Sequence, residues 1–194
     1  MSKTLEFFFD VGSPTTYLAW TQIREVVDRC GAELQYRPFL LGGVFKATGN
    51  ASPVLVEAKR KYLFRDIERF ARRYDVPFRL NPGFPFNTIP LMRGAIAAQR
   101  EGRIDAYLDA LFPAIWEHEK DVGDTDILAI VLADAGFNMG WYSAATQDQD
   151  VKQALIANTS EAVERGAFGA PTFFVGDEMF FGQDRLDFVA ECIA

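Results

Sequence analysis

The stretch FFFDVGSPTTYLAW, residues Phe7 to Trp20, decides the first part of the fold. Its apolar run ends at Asp10, and after a two-residue turn the pair Ser13-Pro14 predicts the start of a helix. Serine is a favoured N-cap, and proline is favoured in the first helical turn, where its missing N–H costs no hydrogen bond. Because functional residues often lie in short connections held by rigid elements, the role of Ser13 is the first question that the sequence raises.

A β-α-β unit surrounds this junction. Leu5 to Phe9 is a short continuous apolar run, which indicates a strand that is buried on both faces. The helix that follows is predicted to run from Pro14 to about Cys30 and to end at Gly31, and the alternating segment Glu33 to Phe39 predicts a second strand. Such a unit implies a parallel pair of strands joined by a right-handed crossover.

Helical patterns dominate the middle of the chain, from about Leu41 to Val151. The predicted helices span Val54–Tyr74, Thr88–Gly102, Ile104–His118 and Asp126–Ala135. A proline-rich segment, Asn81 to Pro90, predicts a loop between the first two of them. We interpret this middle section as an all-helical insertion.

Strand patterns return in the last third of the chain. The sequence predicts a helix, two strands and a final helix, at Val151–Arg165, Pro171–Val175, Glu178–Phe181 and Asp184–Ile193. Gly176-Asp177 is a tight-turn signal between the two strands. The predicted order is therefore β-α-β, a helical block, and then α-β-β-α.

The composition excludes several classes of function. A net charge of −7 gives no general basic surface for nucleic acid, and no apolar run reaches the length of a membrane span. The two cysteines, Cys30 and Cys192, form neither a CxxC pair nor a ligand spacing with histidine, so we expect no metal site and no structural disulfide. The opening residues lack the pattern of a signal peptide, and we expect a cytoplasmic protein.

Two interpretations of Ser13 remain open at the level of the sequence. Capping alone explains a serine at this position. Alternatively, the free N–H groups and the positive dipole end of the helix would stabilise a bound thiolate or another anion, to which the hydroxyl donates. A serine nucleophile is disfavoured, because the single histidine, His118, has no recognisable partner motif.

Two further motifs have an ordinary and a functional interpretation. Ala170-Pro171 is either a trans proline that begins a strand or a cis proline that leaves the Ala170 backbone free to pair with an extended ligand. In Gly182-Gln183-Asp184, the aspartate either caps the last helix or pairs with an ammonium group while neighbouring N–H groups hold a carboxylate. An amino acid zwitterion carries both of those charges.

A polar stripe lies on the long predicted helix. Lys59, Tyr62 and Asp66 are spaced by three and four residues, which places them on one face. They either line a polar cleft or belong to an ordinary solvated face.

The order of these motifs is that of the thioredoxin-type glutathione site. With a helical block after the second strand, the chain resembles the DsbA-like branch, and more closely the 2-hydroxychromene-2-carboxylate isomerases and the kappa-class glutathione transferases. FFFDVGSPTTYLA resembles the opening F-x-D-x-x-S-P-x-x-Y of that family, and GAFGAPTFFVGDEMFFGQDRLDFV is similar to its C-terminal half. The resemblance implies an α/β, thioredoxin-like fold in residues 1–40 and 152–194, with a large all-helical insertion in residues 41–151.

The resemblance also implies roles for individual residues. Ser13 would be the catalytic serine that hydrogen-bonds the glutathione sulfur. The other implied glutathione contacts are the cis-proline element Ala170 and Pro171, the γ-glutamyl contacts Gln183 and Asp184, and Asn50 and Lys59 toward the glycine end or an acidic substrate. Weaker candidates for the substrate cleft are Tyr62, Asp66, Asn87 and Trp116.

The implied activity is a glutathione-dependent isomerisation in naphthalene-type aromatic breakdown. It interconverts 2-hydroxychromene-2-carboxylate and trans-o-hydroxybenzylidenepyruvate, an aromatic keto acid, with glutathione as the cofactor. Two alternatives share the binding features: a kappa-like transferase or peroxidase that consumes glutathione, and a non-catalytic glutathione-binding protein. The relatives are homodimers, and we expect the same here.

Overall fold

The computed structural model describes residues 3–194. Its strands are β1 (Thr4–Phe9), β2 (Glu33–Pro38), β3 (Thr172–Val175) and β4 (Glu178–Phe181). Its helices are α1 (Pro14–Cys30), α2 (Leu41–Thr48), α3 (Glu57–Tyr74), α4 (Ile89–Arg100), α5 (Ile104–Trp116), α6 (Thr125–Asp134), α7 (Met139–Gln147), α8 (Gln149–Glu164) and α9 (Leu186–Ile193). Short 3-10 turns cover Pro53–Leu55 and Gln183–Arg185.

The four strands form one mixed sheet in the order β2-β1-β3-β4. β1 pairs with β2 in parallel, with Phe7 opposite Tyr36. On its other side β1 pairs with β3 in the antiparallel sense, with Phe7 opposite Phe173, and β3 pairs with β4 through the tight turn. The predicted β-α-β unit and the returning strands are therefore confirmed, and the fold is the thioredoxin-like fold of the DsbA type.

The consecutive phenylalanines explain the central position of β1. Alternate residues of a strand point to opposite faces, so a strand that is apolar at every position must be covered on both. Phe7 stacks on Phe173 with ring centroids 5.3 Å apart, while Phe8 meets the edge of Phe174 at 5.4 Å on the other face. All four rings are almost completely buried.

The helical section shares a core with the sheet. Phe9 of β1 contacts Phe112 of α5 at a centroid distance of 6.5 Å, and the apolar cluster that begins on β1 continues through α4 to α8. A smaller cluster lies on the other face of the sheet, around Phe8 and Val44. The helices that form the walls of the site are thus packed directly on the strand that leads into it.

Two helices and several boundaries differ from the prediction. The helix α2 was not predicted, because Gly42-Gly43 lowers the helix propensity of its first turn, and α7 was also missed. Helix α3 begins at Glu57 and not at Val54, since Pro53–Leu55 forms a separate 3-10 turn. The interpretation of Asp184 as a helix cap was wrong: it lies inside the 3-10 turn before α9 and makes no side-chain capping bond.

Candidate functional site

A cavity of about 700 Å³ opens at the carboxyl end of β1. This size suits a ligand of drug-like dimensions. Its walls come from the starts of α1, α2 and α4, the segment before α3, and the chain on either side of β3 and β4. The ends of many separate elements therefore meet at one place, as in other α/β proteins where ligands bind beyond the carboxyl ends of strands.

Ser13 lies on the floor of this cavity at the start of α1. It is the N-cap, with φ −99° and ψ 117°, and its Oγ accepts a hydrogen bond from the Thr16 N–H at 3.2 Å. The residue is only 4% exposed. The predicted capping role is thus confirmed, and the cap holds the hydroxyl at the positive end of a helix of 17 residues.

A second hydroxyl, that of Thr15, lies beside the first. The two oxygens are 3.0 Å apart, and Thr15 donates to the carbonyl of Ala170 at 3.1 Å, while the Ser13 Oγ lies 3.4 Å from the same carbonyl. Thr15 lines the cavity but was missed at the sequence level. The available signal was its place directly after Ser13-Pro14.

The Ala170-Pro171 peptide bond is cis, which decides between the two alternatives left open by the sequence. Ala170 lies on the cavity wall next to the start of α1. Its N–H forms no hydrogen bond with any other residue in the described part of the chain. A ligand with an extended peptide backbone can therefore pair with this edge.

Gln183 and Asp184 line the same cavity on the side of α9. Gly182 precedes them with φ 103° and donates its N–H to the carbonyl of Pro171 at 3.0 Å, which links this turn to the cis-proline segment. Gln183 is only 6% exposed, yet its side-chain amide forms no hydrogen bond within residues 3–194. Asp184 pairs with Arg185 at 2.5 Å. The amide therefore has donors and an acceptor that are free to bind a ligand in the cavity that Gln183 lines.

Of the other predicted glutathione contacts, the structure places Asn50 on the cavity wall and Lys59 outside it. The Asn50 amide donates to the Phe168 carbonyl at 2.8 Å, and its oxygen accepts from the Ala51 N–H at 2.8 Å. Asn50 thus fastens the segment after α2 to the segment before the cis proline. Lys59 is exposed on α3 and does not line the cavity.

Of the weaker substrate candidates, some line the cavity and others do not. Asp66 and Asn87 line the cavity, and the Asn87 oxygen accepts from the Ile89 N–H at 3.1 Å. Tyr62 is 63% exposed and lies outside the lining. The polar stripe on α3 is therefore divided: its C-terminal member faces the cavity, and the other two members face solvent.

Trp116 lies beneath the cavity and not on its surface. It is completely buried, and its Nε1 donates to the carbonyl of Val11 at 2.9 Å. The rings of Phe78, Phe84 and Phe86 surround it at centroid distances of 5.7 to 6.4 Å. Trp116 therefore supports the turn before Ser13 and does not reach the cavity, so the implied substrate contact is wrong.

Asp10 is a further lining residue that was not singled out from the sequence. Its carboxylate is 2% exposed and accepts hydrogen bonds from the Gly12 N–H at 3.0 Å, the Leu41 N–H at 2.9 Å and the Thr88 hydroxyl at 3.1 Å. Burial raises the pKa of this carboxyl, against the three hydrogen bonds, which lower it.

The large apolar residues that line the cavity are more exposed than Ser13 and Asp10, which places them toward its opening. These residues come from α2 and its N-cap residue, from α3, and from the loop before α4 together with its first residue: Leu40, Phe45, Leu63, Phe84, Phe86 and Ile89. A planar aromatic group would bury apolar surface here while its polar end reaches the hydroxyls on the floor. The cavity therefore combines a polar floor with an aromatic-sized apolar mouth.

The DSBA-like thioredoxin domain family matches residues 4–194. A 2-hydroxychromene-2-carboxylate isomerase from Sphingobium xenophagum is 31% identical over 191 residues, which cover 97% of each chain. The chain belongs to the 2-hydroxychromene-2-carboxylate isomerase family. By this membership it is an isomerase.

The chain is also similar to a kappa-class glutathione transferase and to a solved isomerase structure. The glutathione S-transferase kappa 1 of Caenorhabditis elegans is 28% identical and covers 97% of this chain and 90% of its own length. A solved structure of a 2-hydroxychromene-2-carboxylate isomerase superimposes with a TM-score of 0.87 at 27% identity, over 97% of this chain and 93% of the other. The resemblance stated from the sequence and the predicted fold are both confirmed.

This isomerase differs from dithiol oxidoreductases at the start of α1. The segment there reads Ser13-Pro14-Thr15-Thr16, without a thiol, and neither Cys30 nor Cys192 lines the cavity. Dithiol–disulfide exchange at this position is therefore ruled out by composition. In residues 3–194 no cluster of His, Cys, Asp and Glu could hold a metal ion.

The helices in residues 3–194 differ in length and in apolar character. None is both long and apolar enough to cross a bilayer. Helices α6 and α7 are long and apolar enough only when taken together, and the chain bends by 108° between them.

Proposed function

We propose that this isomerase uses glutathione to interconvert 2-hydroxychromene-2-carboxylate and trans-o-hydroxybenzylidenepyruvate. The observation that carries the proposal is the buried Ser13 hydroxyl at the N-terminus of α1, on the floor of a cavity that has an apolar mouth. No nucleophilic side chain is needed at that place if the ligand itself supplies the sulfur.

The residues on the cavity floor suit a γ-glutamyl tripeptide. The Ala170 N–H beside the cis proline would pair with the cysteinyl backbone, and the unused amide of Gln183, with Asp184, would hold the zwitterionic end. Asn50 lies where it would orient the glycine end, and we assign Lys59 a long-range electrostatic role, since it stands outside the lining. Pro171 would keep Ala170 in the orientation that this pairing needs.

Ser13 would favour the ionised thiol. A free thiol has a pKa of about 8.5, so only a few per cent is ionised at pH 7, and each unit of lowering corresponds to about 1.4 kcal/mol. The helix N-terminus and one charge-assisted hydrogen bond together supply that amount, at about 0.3–1 and 1.5–3 kcal/mol. When the thiolate is bound, Thr15 would donate its proton to the Ser13 Oγ across their 3.0 Å contact, in place of its bond to the Ala170 carbonyl, which leaves the single Ser13 proton for the sulfur.

Glutathione bound there would supply a thiolate, a nucleophile able to add reversibly to the double bond conjugated to the keto acid; rotation would be possible while that bond is single, and elimination would return the same thiolate. The apolar wall formed by Leu63, Phe84 and Phe86 would hold the aromatic ring over the sulfur. Asp66 and Asn87, which also line this part of the cavity, would face the phenol and the keto acid. Glutathione is recovered unchanged in each cycle.

A spectrophotometric assay of the chromene acid, with and without glutathione, tests the proposal. We expect turnover that requires glutathione and leaves the thiol concentration unchanged. S-methylglutathione is the matched control, because it has the same peptide groups without an ionisable thiol, and it should support no turnover. Equal rates with and without glutathione would contradict the proposal.

A kappa-like transferase is the second candidate, favoured by the kappa relatives at 28% identity. It predicts conjugation of chlorodinitrobenzene, with a loss of free thiol and no isomerisation of the chromene acid. A non-catalytic glutathione-binding protein predicts binding in a calorimeter without turnover of either compound.

Thr15→Val is expected to lower kcat/KM with the chromene acid by about fivefold, which corresponds to one ordinary hydrogen bond of about 1 kcal/mol. The valine removes the hydroxyl between Ser13 and Ala170 but leaves the Ser13 hydroxyl in place. Thr15→Ser is the control and should retain the wild-type rate. A Thr15→Val protein at the wild-type rate would show that Thr15 does not orient Ser13.

Three broader expectations belong to this proposal. We infer a homodimer and a cytoplasmic location, as expected from the sequence. We also keep the division into a thioredoxin-like domain, residues 1–40 and 152–194, and a helical domain, residues 41–151. Analytical ultracentrifugation tests the first of these.

A further inference from the structure

The buried carboxylate of Asp10 has no part in the mechanism above, although it lies on the floor of the cavity. Its two oxygens accept three hydrogen bonds: Oδ1 from the Gly12 N–H, and Oδ2 from the Leu41 N–H and the Thr88 hydroxyl. The acceptor atoms are 2.9 to 3.1 Å from these donors. Three bonds of this length to one buried carboxylate define its position closely.

The three donors belong to three different walls of the cavity. Gly12 precedes Ser13 and α1, Leu41 is the first residue of α2, and Thr88 directly precedes α4. Neither α2 nor α4 has a side-chain capping bond from its own N-cap residue. For α2, Asp10 supplies an acceptor for a free N–H of the first turn from a position directly after β1, 31 residues earlier.

The packing around Gly12 shows how closely these walls approach. A Cβ atom on Gly12 would lie 2.5 Å from the Cγ2 of Thr88 and 3.4 Å from the Oδ1 of Asp10. Only a residue without a side chain allows Thr88 to lie directly on the turn that carries Ser13. The start of α4 and the start of α1 therefore share one contact point, and Asp10 is bonded to both.

We propose that Asp10 is a positioning residue, which holds the Ser13 turn and the first turns of α2 and α4 in the arrangement that binds thiol and aromatic acid together. The substrate assignments in this inference rest on the proposed function. Asp10 acts on the thiol through Gly12 and Ser13, and on the aromatic acid through Leu41 and Thr88.

A carboxylate suits this role better than an amide. Both oxygens of an ionised carboxylate accept hydrogen bonds. An asparagine has one accepting oxygen and an NH₂ group that only donates. In the Asp10→Asn variant, the favoured orientation of the side chain directs the amide oxygen toward Leu41 and Thr88, because it then keeps two hydrogen bonds. The amide NH₂ would then face the Gly12 N–H, and the Ser13 turn would loosen.

Two substitutions and one control test separately how Asp10 acts on the Ser13 turn and on the start of α4. Asp10→Asn should lower kcat/KM for the chromene acid about 50-fold, because small displacements of a reacting group cost up to about 10²-fold in rate. Thr88→Val removes one bond at the substrate wall, and it should raise KM for the acid about fivefold, equivalent to one hydrogen bond, with kcat within about twofold of the wild type. A general loss of folded protein would lower the apparent kcat and leave KM unchanged.

Tyr107→Phe is the matched control. It also removes a buried hydroxyl bond, from Tyr107 to the Leu91 carbonyl at 2.9 Å, but outside the cavity. Its kcat and KM should each stay within about twofold of the wild type, and its loss of unfolding free energy should be about that of Thr88→Val, near 1 kcal/mol. A rise in KM for Tyr107→Phe as large as that for Thr88→Val would overturn the inference.

Amide hydrogen exchange in the ligand-free protein gives a readout independent of any substrate. Asp10→Asn should increase the exchange rate of the Gly12 amide at least tenfold, which corresponds to about 1.4 kcal/mol, while Tyr107→Phe leaves it unchanged. An unchanged rate at Gly12 would overturn the inference even if activity were lost. Absence of turnover in the wild type would instead contradict the proposed function and leave the exchange measurement to decide the role of Asp10.

Discussion

Ser13→Ala is expected to reduce kcat/KM with glutathione and the chromene acid about 100-fold. Removal of a preorganised donor from a developing or bound anion typically costs about 10² to 10³ in rate. The pKa of the bound glutathione thiol should rise by about one to two units, since the charge-assisted hydrogen bond is worth about 1.5–3 kcal/mol and each unit is about 1.4 kcal/mol. The absorbance of the thiolate near 240 nm, followed against pH, measures this directly.

Loss of the helix cap must be separated from loss of the donor. Ser13→Ala also removes the acceptor for the Thr16 N–H, which costs about 1 kcal/mol of unfolding free energy. Ser13→Gly removes the hydroxyl but costs only a few tenths of a kcal/mol as a cap, so it should be as inactive as the alanine variant and more stable. Asn138→Ala is the control for the loss of a cap alone. The Asn138 side chain caps α7 by accepting from the Trp141 N–H at 2.9 Å, and neither residue lines the cavity.

The outcome for these variants decides between the two roles of Ser13. If the hydroxyl stabilises the thiolate, both Ser13 variants lose activity, and Asn138→Ala retains it. If the glycine variant were as active as the wild type, Ser13 would be a helix cap and nothing more.

Trp116→Ala is expected to lower the free energy of unfolding by about 3–5 kcal/mol, as for other deletions of a large buried aromatic side chain. Trp116 is completely buried, and the alanine would leave a cavity among Phe78, Phe84 and Phe86 together with an unpaired Val11 carbonyl. Urea unfolding followed by circular dichroism measures the change. A loss below about 1 kcal/mol would contradict the packing described here.

The milder Trp116→Phe variant tests whether this residue contacts substrate. It keeps an aromatic ring in the core and removes the indole N–H that bonds to Val11. We expect a lower stability and an unchanged KM for the chromene acid, because Trp116 does not line the cavity. A large increase in KM without loss of stability would restore the substrate role that the resemblance implied.

Local patterns in the sequence predicted the fold and the centre of the site. The apolar run before Asp10 predicts a buried strand, and the pair Ser13-Pro14 predicts a capped helix. Both predictions use only neighbouring residues, and the structure has both elements. The cis conformation of Ala170-Pro171 is different, because the residues allow both isomers and the surrounding contacts select one.

Features that depend on distant partners were missed or misplaced. Asp10 looks like a strand end in the sequence, and its importance comes from Leu41 and Thr88, which lie 31 and 78 residues away. Helical spacing predicted one shared face for Lys59, Tyr62 and Asp66, but it gives no distance to the cavity, and only Asp66 lines it. The supporting role of Trp116 likewise depends on a hydrogen bond to Val11, 105 residues earlier.

A crystal structure of the glutathione complex tests the central claim most directly. We predict the sulfur within about 3.5 Å of the Ser13 Oγ, a hydrogen-bond distance once the larger radius of sulfur is allowed for, with the cysteinyl backbone paired to Ala170 and the γ-glutamyl end beside Gln183 and Asp184. The apolar mouth formed by Leu63, Phe84 and Phe86 should remain open above the sulfur for the aromatic acid. A complex with the sulfur directed away from Ser13, or with glutathione filling the apolar mouth, would contradict the account.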